Sequence, residues 1–407
     1  VAGDDSFSVF RQIRPQFVTV TTESMKTISP DRDVDARLQP LAATAHIKAI
    51  ASRADLLSTL QVLRPVAKTG RSLPVVSAIM IVAYGNSLKI TADNCEIMCR
   101  LEVPAKIESE GAVVLSVDRL FRLLTYAVGD ELKIDAKDCQ SADLTCGDIS
   151  AHFAGWPVSD FVRRADPQAE LSFQISLADL KAALAWISAA IISMPRDQAK
   201  CGIHFFGDGR ELKVEALDGR TLHHGCIESS ATLDVVGPPS IINLVHALAG
   251  EGECTVAIDS RTIQFTDGKT VVCAQLLEEP FPDTSTVIPQ PSSNLITLPK
   301  DALVRAINAS LSVMDKKMTL GGLNFSVKKG ATTIFTDQCE TGFVQDVIET
   351  RNSHELDFRI DPLRLLTSVK PIQTNEVAIQ CDDPLRSVCI RADNFLAVIA
   401  LMRPPIP

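Results

Sequence analysis

Apolar residues recur every three or four positions over 53–60, 117–124, 177–184, 239–248, 300–307 and 361–369, the spacing of a helix that buries one face. Between them, 88–93, 212–218 and 333–337 alternate apolar and polar residues and run into Asp93, Asp218 and Asp337, as half-buried strands ending in turns do. Short apolar stretches at 47–50, 173–175 and 295–298 precede three of the helices, and further strands at 131–134, 254–258 and 376–379 follow the other three. The order is the same three times over. Leu56, Leu180 and Leu303 stand 124 and 123 residues apart, so one composite unit repeats with a period near 124 residues. Ser116 and Asp361, with Pro239 and Pro362, are helix-entry residues for the second helix of each unit. The pattern predicts an α+β fold in which each unit packs two helices on antiparallel sheets.

Polar, proline-containing stretches at 163–170 and 289–294 separate the units, which places domains at 45–166, 167–292 and 293–407. Residues 1–44 are polar, with Thr-Thr-Glu-Ser and Pro-Asp-Arg-Asp clusters. They read as a flexible N-terminal extension that need not share the fold. Asp4 and Asp5, without an apolar core after them, argue against a signal peptide. Two units close alike, Trp156-Pro157 leading to Asp160 and Phe281-Pro282 to Asp283.

Composition narrows the classes. With 46% apolar and 22% charged residues in 407, the chain can bury large cores, which excludes a disordered or collagen-like protein. No run of 18 apolar residues occurs, so no membrane-spanning helix is expected. Forty basic against fifty acidic residues leave a net charge of −10, which disfavours holding nucleic acid by a basic field over the whole surface. Basic residues gather instead on the predicted helices and their exits. Arg53, Arg64, Lys68 and Arg71 face only Asp55 on the first, and Arg119 and Arg122 lie on the second. Lys181 and Arg196 lie on or after the third, Arg305, Lys316 and Lys317 on or after the fifth, and Arg364 and Lys370 on the last; the fourth, with Asn243 and His246, carries no such charge. Basic helices over an acidic remainder suit contact with phosphates that leaves the bases unread.

Little in the sequence points to catalysis. The eleven cysteines lie mostly in apolar runs and read as reduced core thiols of a cytosolic protein. Cys201-Gly-Ile-His204 and His223-His224-Gly-Cys226 crowd metal-binding residue types, but neither has the second pair that a structural zinc site needs, and no metal or other cofactor is expected. Gly-x-Ser-x-Gly, Walker A and His-Glu-x-x-His runs are absent, and Gly207-Asp-Gly209 reads as a turn between strands. An acid that recurs once per repeat, as Asp93, Asp218 and Asp337 do, is turn chemistry.

The three units, the Leu73-Pro74 pair after the first helix, Ala216-Leu-Asp-Gly-Arg-Thr-Leu222 in the second unit and Phe281-Pro-Asp at its end together resemble the bacterial sliding clamps, the beta subunits of DNA polymerase III. The resemblance spans about 45–403. It implies a head-to-tail homodimer of six similar domains closed into a cytoplasmic ring, helices lining a hole that encircles double-stranded DNA and sheets forming the rim. Such a ring tethers a polymerase, is placed by a clamp loader, and needs no catalytic residue. With the helix charges, the resemblance assigns DNA contact to Arg71, Arg122, Lys181, Arg196, Arg305, Lys316 and Lys317. It implies a pocket for partner peptides built from Lys200, Ile203, Leu217, Gly219, Arg220, Leu222, Pro238, Ile241, Arg364, Leu385, Ser387, Val398, Ala400 and Met402. Arg220-Thr221 stands where the family has His-Arg, and Arg364 where it has an aromatic residue, so a clamp-derived binding module with altered partners is the alternative reading.

Overall fold

A computed structural model describes residues 46–68, 74–138, 140–161, 169–192, 202–249, 252–314, 321–337 and 342–403. The extension predicted at 1–44 lies outside them. The first repeat runs β1 (Ile47–Ser52), α1 (Arg53–Lys68), β2 (Ala78–Tyr84), β3 (Ser87–Asp93), β4 (Ile97–Ser109), β5 (Gly111–Ser116), α2 (Val117–Tyr126), β6 (Glu131–Asp138), β7 (Ser141–Cys146) and β8 (Ile149–Ala154). The second runs β9 (Leu171–Ser176), α3 (Leu177–Ile192), β10 (Ile203–Asp208), β11 (Glu211–Leu217), β12 (Thr221–Glu228), β13 (Thr232–Gly237), α4 (Ile241–Val245), β14 (Glu253–Ile258), β15 (Thr262–Thr266) and β16 (Val271–Gln275). The third runs β17 (Leu295–Pro299), α5 (Lys300–Val313), β18 (Leu323–Lys328), β19 (Ala331–Thr336), β20 (Gln345–Glu349), the two-residue β21 (Arg351–Asn352), β22 (Leu356–Ile360), α6 (Pro362–Val369), β23 (Glu376–Asp383), β24 (Ser387–Ala392) and β25 (Phe395–Ala400). Apart from β21, the element order is identical in all three.

Local chemistry sets these boundaries. The Ser116 hydroxyl accepts from the Arg119 N–H at the start of α2, and Asp361 accepts from the Leu363 and Arg364 N–H groups with Pro362 opening α6. Helix α4 is shorter than the apolar pattern suggests, because after Val245 the chain tightens into turns in which Ala247 bonds to Leu244 and Leu248 to Val245. Asp93 and Asp218 do close turns, accepting from the Cys95 N–H at 2.8 Å and from the Thr221 N–H at 2.8 Å. Asp337 instead takes Asn324 at 2.9 Å and Arg359 at 2.6 Å.

Compact packing divides the chain into two units that cut through the second repeat. One holds the first repeat with β9, α4 and β14 to β16; its twelve-stranded sheet runs β8-β7-β6-β1-β4-β16-β15-β14-β9, with β2, β3 and β5 joined through β3. The other holds most of α3, β10 to β13 and the third repeat, in a nine-stranded sheet β13-β10-β11-β12-β25-β24-β23-β17-β21 and a four-stranded sheet β20-β19-β18-β22. The cut falls there because strand pairing runs on from one repeat into the next. In each unit the joint is the same: the third strand after the first helix of one repeat pairs antiparallel with the last strand of the following repeat. Thus β4 pairs β16 with Met98 opposite Cys273, and β12 pairs β25 with Leu222 opposite Val398. Each joint buries its own apolar cluster, Met98, Val271 and Cys273 in one, and Leu217, Leu222, Cys389 and Val398 in the other.

Six described cysteines are buried, and burial pushes the Cys99 and Cys381 thiols up to about 12. Two correct the expectation of core thiols. Cys95 is exposed in a turn with a left-handed backbone (φ 72°), and Cys226 is half-buried on the outward side of β12. Among the described residues no helix is long and apolar enough to cross a membrane.

Candidate functional site

The second joint carries the best-formed recognition surface. Leu217 ends β11, Leu222 faces it on β12, and Val398 faces Leu222 on β25, so register alone brings three apolar side chains together above Cys389. Half-buried Phe281, Val287, Ile288 and Leu396 pack round them. The first three come from the connection between repeats, 277–294, which is tied down along its length. Leu277 donates to the Val236 carbonyl at 2.7 Å, Phe281 stacks on His204 with ring centres 4.6 Å apart, and Thr284 donates to Glu215 at 3.3 Å. Further along, Arg391 and Gln380 donate to the carbonyls of Pro289 and Gln290. The C-terminal strand closes another side, with Ala400 donating to the Arg220 carbonyl at 2.8 Å, Leu401 to that of Arg386 and Met402 to that of Arg359.

The Asp218 turn beside this surface is fixed from below. Arg364, only 15% exposed, reaches from α6 to the Asp218 carboxylate, itself 1% exposed, and to the Thr221 hydroxyl at 2.7 Å. Gly219 tops the turn with φ near +81° and open space where a Cβ would stand, the left-handed geometry glycine adopts freely. An apolar floor, a half-buried apolar rim and exposed polar groups at Arg220 and Ser285 suit a short peptide with apolar anchors.

The helices carry the other feature. From α1 to α6 they hold nine basic residues against four acidic ones, a surplus of five in a chain whose total is −10. Arg119 and Arg122 are exposed on α2, Lys181 is half-buried on α3, and Arg305 is exposed on α5 with its guanidinium 3.1 Å from Asp346. Arg64 is occupied within its own unit, 2.5 Å from Asp118 and 4.4 Å above the Phe121 ring. Arg71, Arg196, Lys316, Lys317 and Lys200 lie outside the described residues.

No protein-family model matches the chain. In sequence it is similar to the beta sliding clamp of Chlamydia pneumoniae, 22% identical over 345 residues that make up 83% of this chain and 93% of that protein. It is also similar to the beta sliding clamp of Pseudomonas aeruginosa, 21% identical over 351 residues, 84% of this chain and 95% of that one. Its fold matches crystal structures of the Bartonella birtlesii DnaN sliding clamp bound to griselimycin and of the Bacillus subtilis DNA polymerase sliding clamp. For each, the TM-score is 0.81 at 18% identity, covering 88% of this chain and all of the other. The chain is a divergent relative of the beta sliding clamps.

On this sliding-clamp fold, only some of the residues expected to form a peptide pocket come together. Leu217, Leu222 and Val398 meet in one cluster, with half-buried Ala400 ending the adjoining C-terminal strand and half-buried Met402 just beyond it, Ser387 paired to Ala400, and Leu385 68% exposed on the turn before Ser387. Ile203 is instead fully buried in the sheet core, Pro238 is buried at the end of β13 outside the cluster, and Ile241 is buried on α4 in the other compact unit. Arg364 is a half-buried ion-pair partner of Asp218, which leaves its guanidinium committed to the turn. Phe281, Val287 and Ile288 take the places given to Pro238 and Ile241. The signal for them was the Phe281-Pro282-Asp283 ending followed by Val287-Ile288, an apolar pair inside an otherwise polar connection.

Proposed function

We propose that this chain is a DNA sliding clamp, a non-enzymatic processivity factor in which 45–166, 167–292 and 293–407 are three domains of one kind. Two copies close head to tail into a six-domain ring around duplex DNA. The observation that carries this reading is the joint. Twice within the chain, the third strand after the first helix of one repeat pairs with the last strand of the next. The corresponding strand of the third repeat is β20 and the last strand of the first is β8; among the described residues each has a strand partner on one side only, β19 and β7. A third joint of the same kind therefore needs a second copy, and two such joints close a ring. By equivalence with Met98 and Leu222, Phe343 lies at that joint, opposite the position of His152, and it is 62% exposed in the single chain.

The helix charges support enclosure of DNA. Arg122, Lys181 and Arg305, with Arg71, Arg196, Lys316 and Lys317, are proposed to meet phosphates, while the acidic remainder keeps the protein from sticking to nucleic acid by its outer surface. Enclosure raises the effective concentration of a tethered polymerase without any strong DNA contact. The polymerase and a clamp loader are proposed to bring short apolar peptides to the surface formed by Leu217, Leu222, Val398, Val287 and Ile288. The test is retention on closed circular DNA after loading and release when the circle is cut. Equal loss from circular and linear DNA refutes topological tethering and leaves the clamp-derived binding module as the reading.

A further inference from the structure

The outward side of the β10 to β13 sheet carries a chain of ionisable groups that neither DNA enclosure nor peptide docking uses. On β12, the His224 Nε2 lies 2.9 Å from the Cys226 sulfur, and its Nδ1 lies 2.8 Å from Glu215 Oε1 on β11. Glu215 Oε2 is 3.1 Å from His204 Nδ1, whose Nε2 is 2.9 Å from Asp234 Oδ1. Thr284 donates to both Glu215 oxygens at 3.3 Å. Lys213 sits directly across from Cys226 in the β11–β12 register and reaches Glu211 at 3.3 Å.

Burial by itself lowers His224, yet its hydrogen bonds to Cys226 and Glu215 outweigh burial and raise it to about 9. Burial raises Glu215, but hydrogen bonds from His204 and His224 hold it down at about 2. At neutral pH the ring is thus an imidazolium with one N–H on a carboxylate and the other on a sulfur. A thiol beside a cationic imidazole that a carboxylate orients is the arrangement that activates sulfur nucleophiles.

We propose that Cys226 is a nucleophilic thiol, paired with His224 and with Glu215 as the residue that positions His224, and that it exchanges with small disulfides. In the step the Cys226 sulfur attacks one sulfur of the disulfide, a new S–S bond forms to Cys226 and the original S–S bond breaks. The other half leaves as a thiolate with the electron pair and takes a proton from water. Cys226 is oxidised and the departing sulfur reduced, so no further oxidant is required. A small, linear disulfide is the reagent that fits, because Cys226 is half-buried in the middle of a paired strand, between β11 and β25. The inference is independent of the clamp reading.

The probe is glutathione disulfide, applied to the full-length reduced protein at pH 6 and pH 8 with adducts located by peptide mass spectrometry. The exposed Cys95 serves as comparator in the same molecule. With the His224 ring 2.9 Å from its sulfur, Cys226 is expected to react at least tenfold faster than Cys95 at pH 6. Its rate should rise less between pH 6 and pH 8 than that of Cys95 in the same molecule. His224→Gln should lower the pH 6 rate about tenfold and restore a steep pH dependence. A wild-type profile as steep as that of an ordinary thiol overturns the proposal, as does absence of a Cys226 adduct. The wild-type profile decides the matter even if the variant fails to fold.

Discussion

The proposed intersubunit joint makes a quantitative demand on Phe343. Its side chain is 62% exposed in the single chain, whereas its counterparts Met98 and Leu222 are 3% and 2% exposed. An aromatic side chain carries roughly 200 Å² of surface, so closing the joint removes about 120 Å² of apolar area from water. At ~25 cal/mol per Å² that is ~3 kcal/mol per joint and ~6 kcal/mol for a ring with two. Phe343→Ser forfeits most of it and leaves a half-polar edge whose partner strand is unchanged. The dimer dissociation constant should rise by about three to four orders of magnitude at 25 °C. Sedimentation equilibrium over a thousandfold range of concentration measures it directly. Because Phe343 does not contribute to the core of its own repeat, the melting temperature of the dissociated chain should stay within a degree or two. An unchanged dissociation constant, or a wild-type chain monomeric at every concentration, refutes the joint and the ring with it.

Three further outcomes follow from the same structure. Val287→Asp puts a carboxylate into the half-buried rim around Leu222 and Val398, so affinity for an apolar clamp-binding peptide, measured calorimetrically, should fall at least tenfold with the dimer intact. Arg119→Glu with Arg122→Glu reverses two exposed cations on α2; DNA binding by the unloaded chain should weaken and its log K against log salt slope should flatten by about 2, read by fluorescence anisotropy. His223 is buried, its Nδ1 2.8 Å from the Trp186 carbonyl and its Nε2 2.8 Å from Ser368, and burial lowers it to about 4. Its neutral form is the one folding favours, so its contribution is complete above about 6.5 and is lost as the pH falls toward 4, by up to ~3 kcal/mol. Denaturant titrations of wild type and His223→Gln should therefore converge by about that amount between pH 7 and pH 4.

How much of this was legible in the sequence depended on whether a feature repeats. Leu56, Leu180 and Leu303 mark a register that recurs, and so do the strands that end on Asp93, Asp218 and Asp337; periodicity of this kind survives a divergence that leaves 22% identity to relatives. The apolar cluster at the second joint was legible for the same reason, since Leu217, Leu222 and Val398 sit at joint positions on strands that recur in every repeat. Its rim was not. Phe281, Val287 and Ile288 lie on a connection whose path over the sheet is set by single contacts, Phe281 on His204 and Thr284 on Glu215, and no local period encodes such contacts. Charge was legible as a total and misleading in detail: Arg64 and Arg364 counted as cations of a DNA-facing surface, yet each is held by an acid far away in sequence, Asp118 and Asp218.

The joint also accounts for an asymmetry among the three repeats that composition alone does not explain. The third strand after the first helix is long and apolar at its start in the first repeat, and it opens Thr221-Leu222-His223 in the second. In the third, β20 is a five-residue strand reading Gln345-Asp346-Val347-Ile348-Glu349. In the proposed ring this strand edge meets its partner in another molecule and is exposed while the chain is alone, and such edges are kept from indiscriminate pairing by shortness and charge. Gln345, Asp346 and Glu349 supply that protection, and Phe343 and Val347, at 62% and 57% exposure, supply the apolar surface that the right partner covers. The same edge must therefore repel most strands and accept one. In the proposed ring β8 is the strand that meets it, with an alternating half-buried and exposed pattern and with His152 fixed by Asp143 at 2.8 Å. If this edge selects the partner, Asp346→Lys with Glu349→Lys should weaken the dimer in sedimentation equilibrium, whereas lysines placed on β19, which is paired on both sides, should act only on folding.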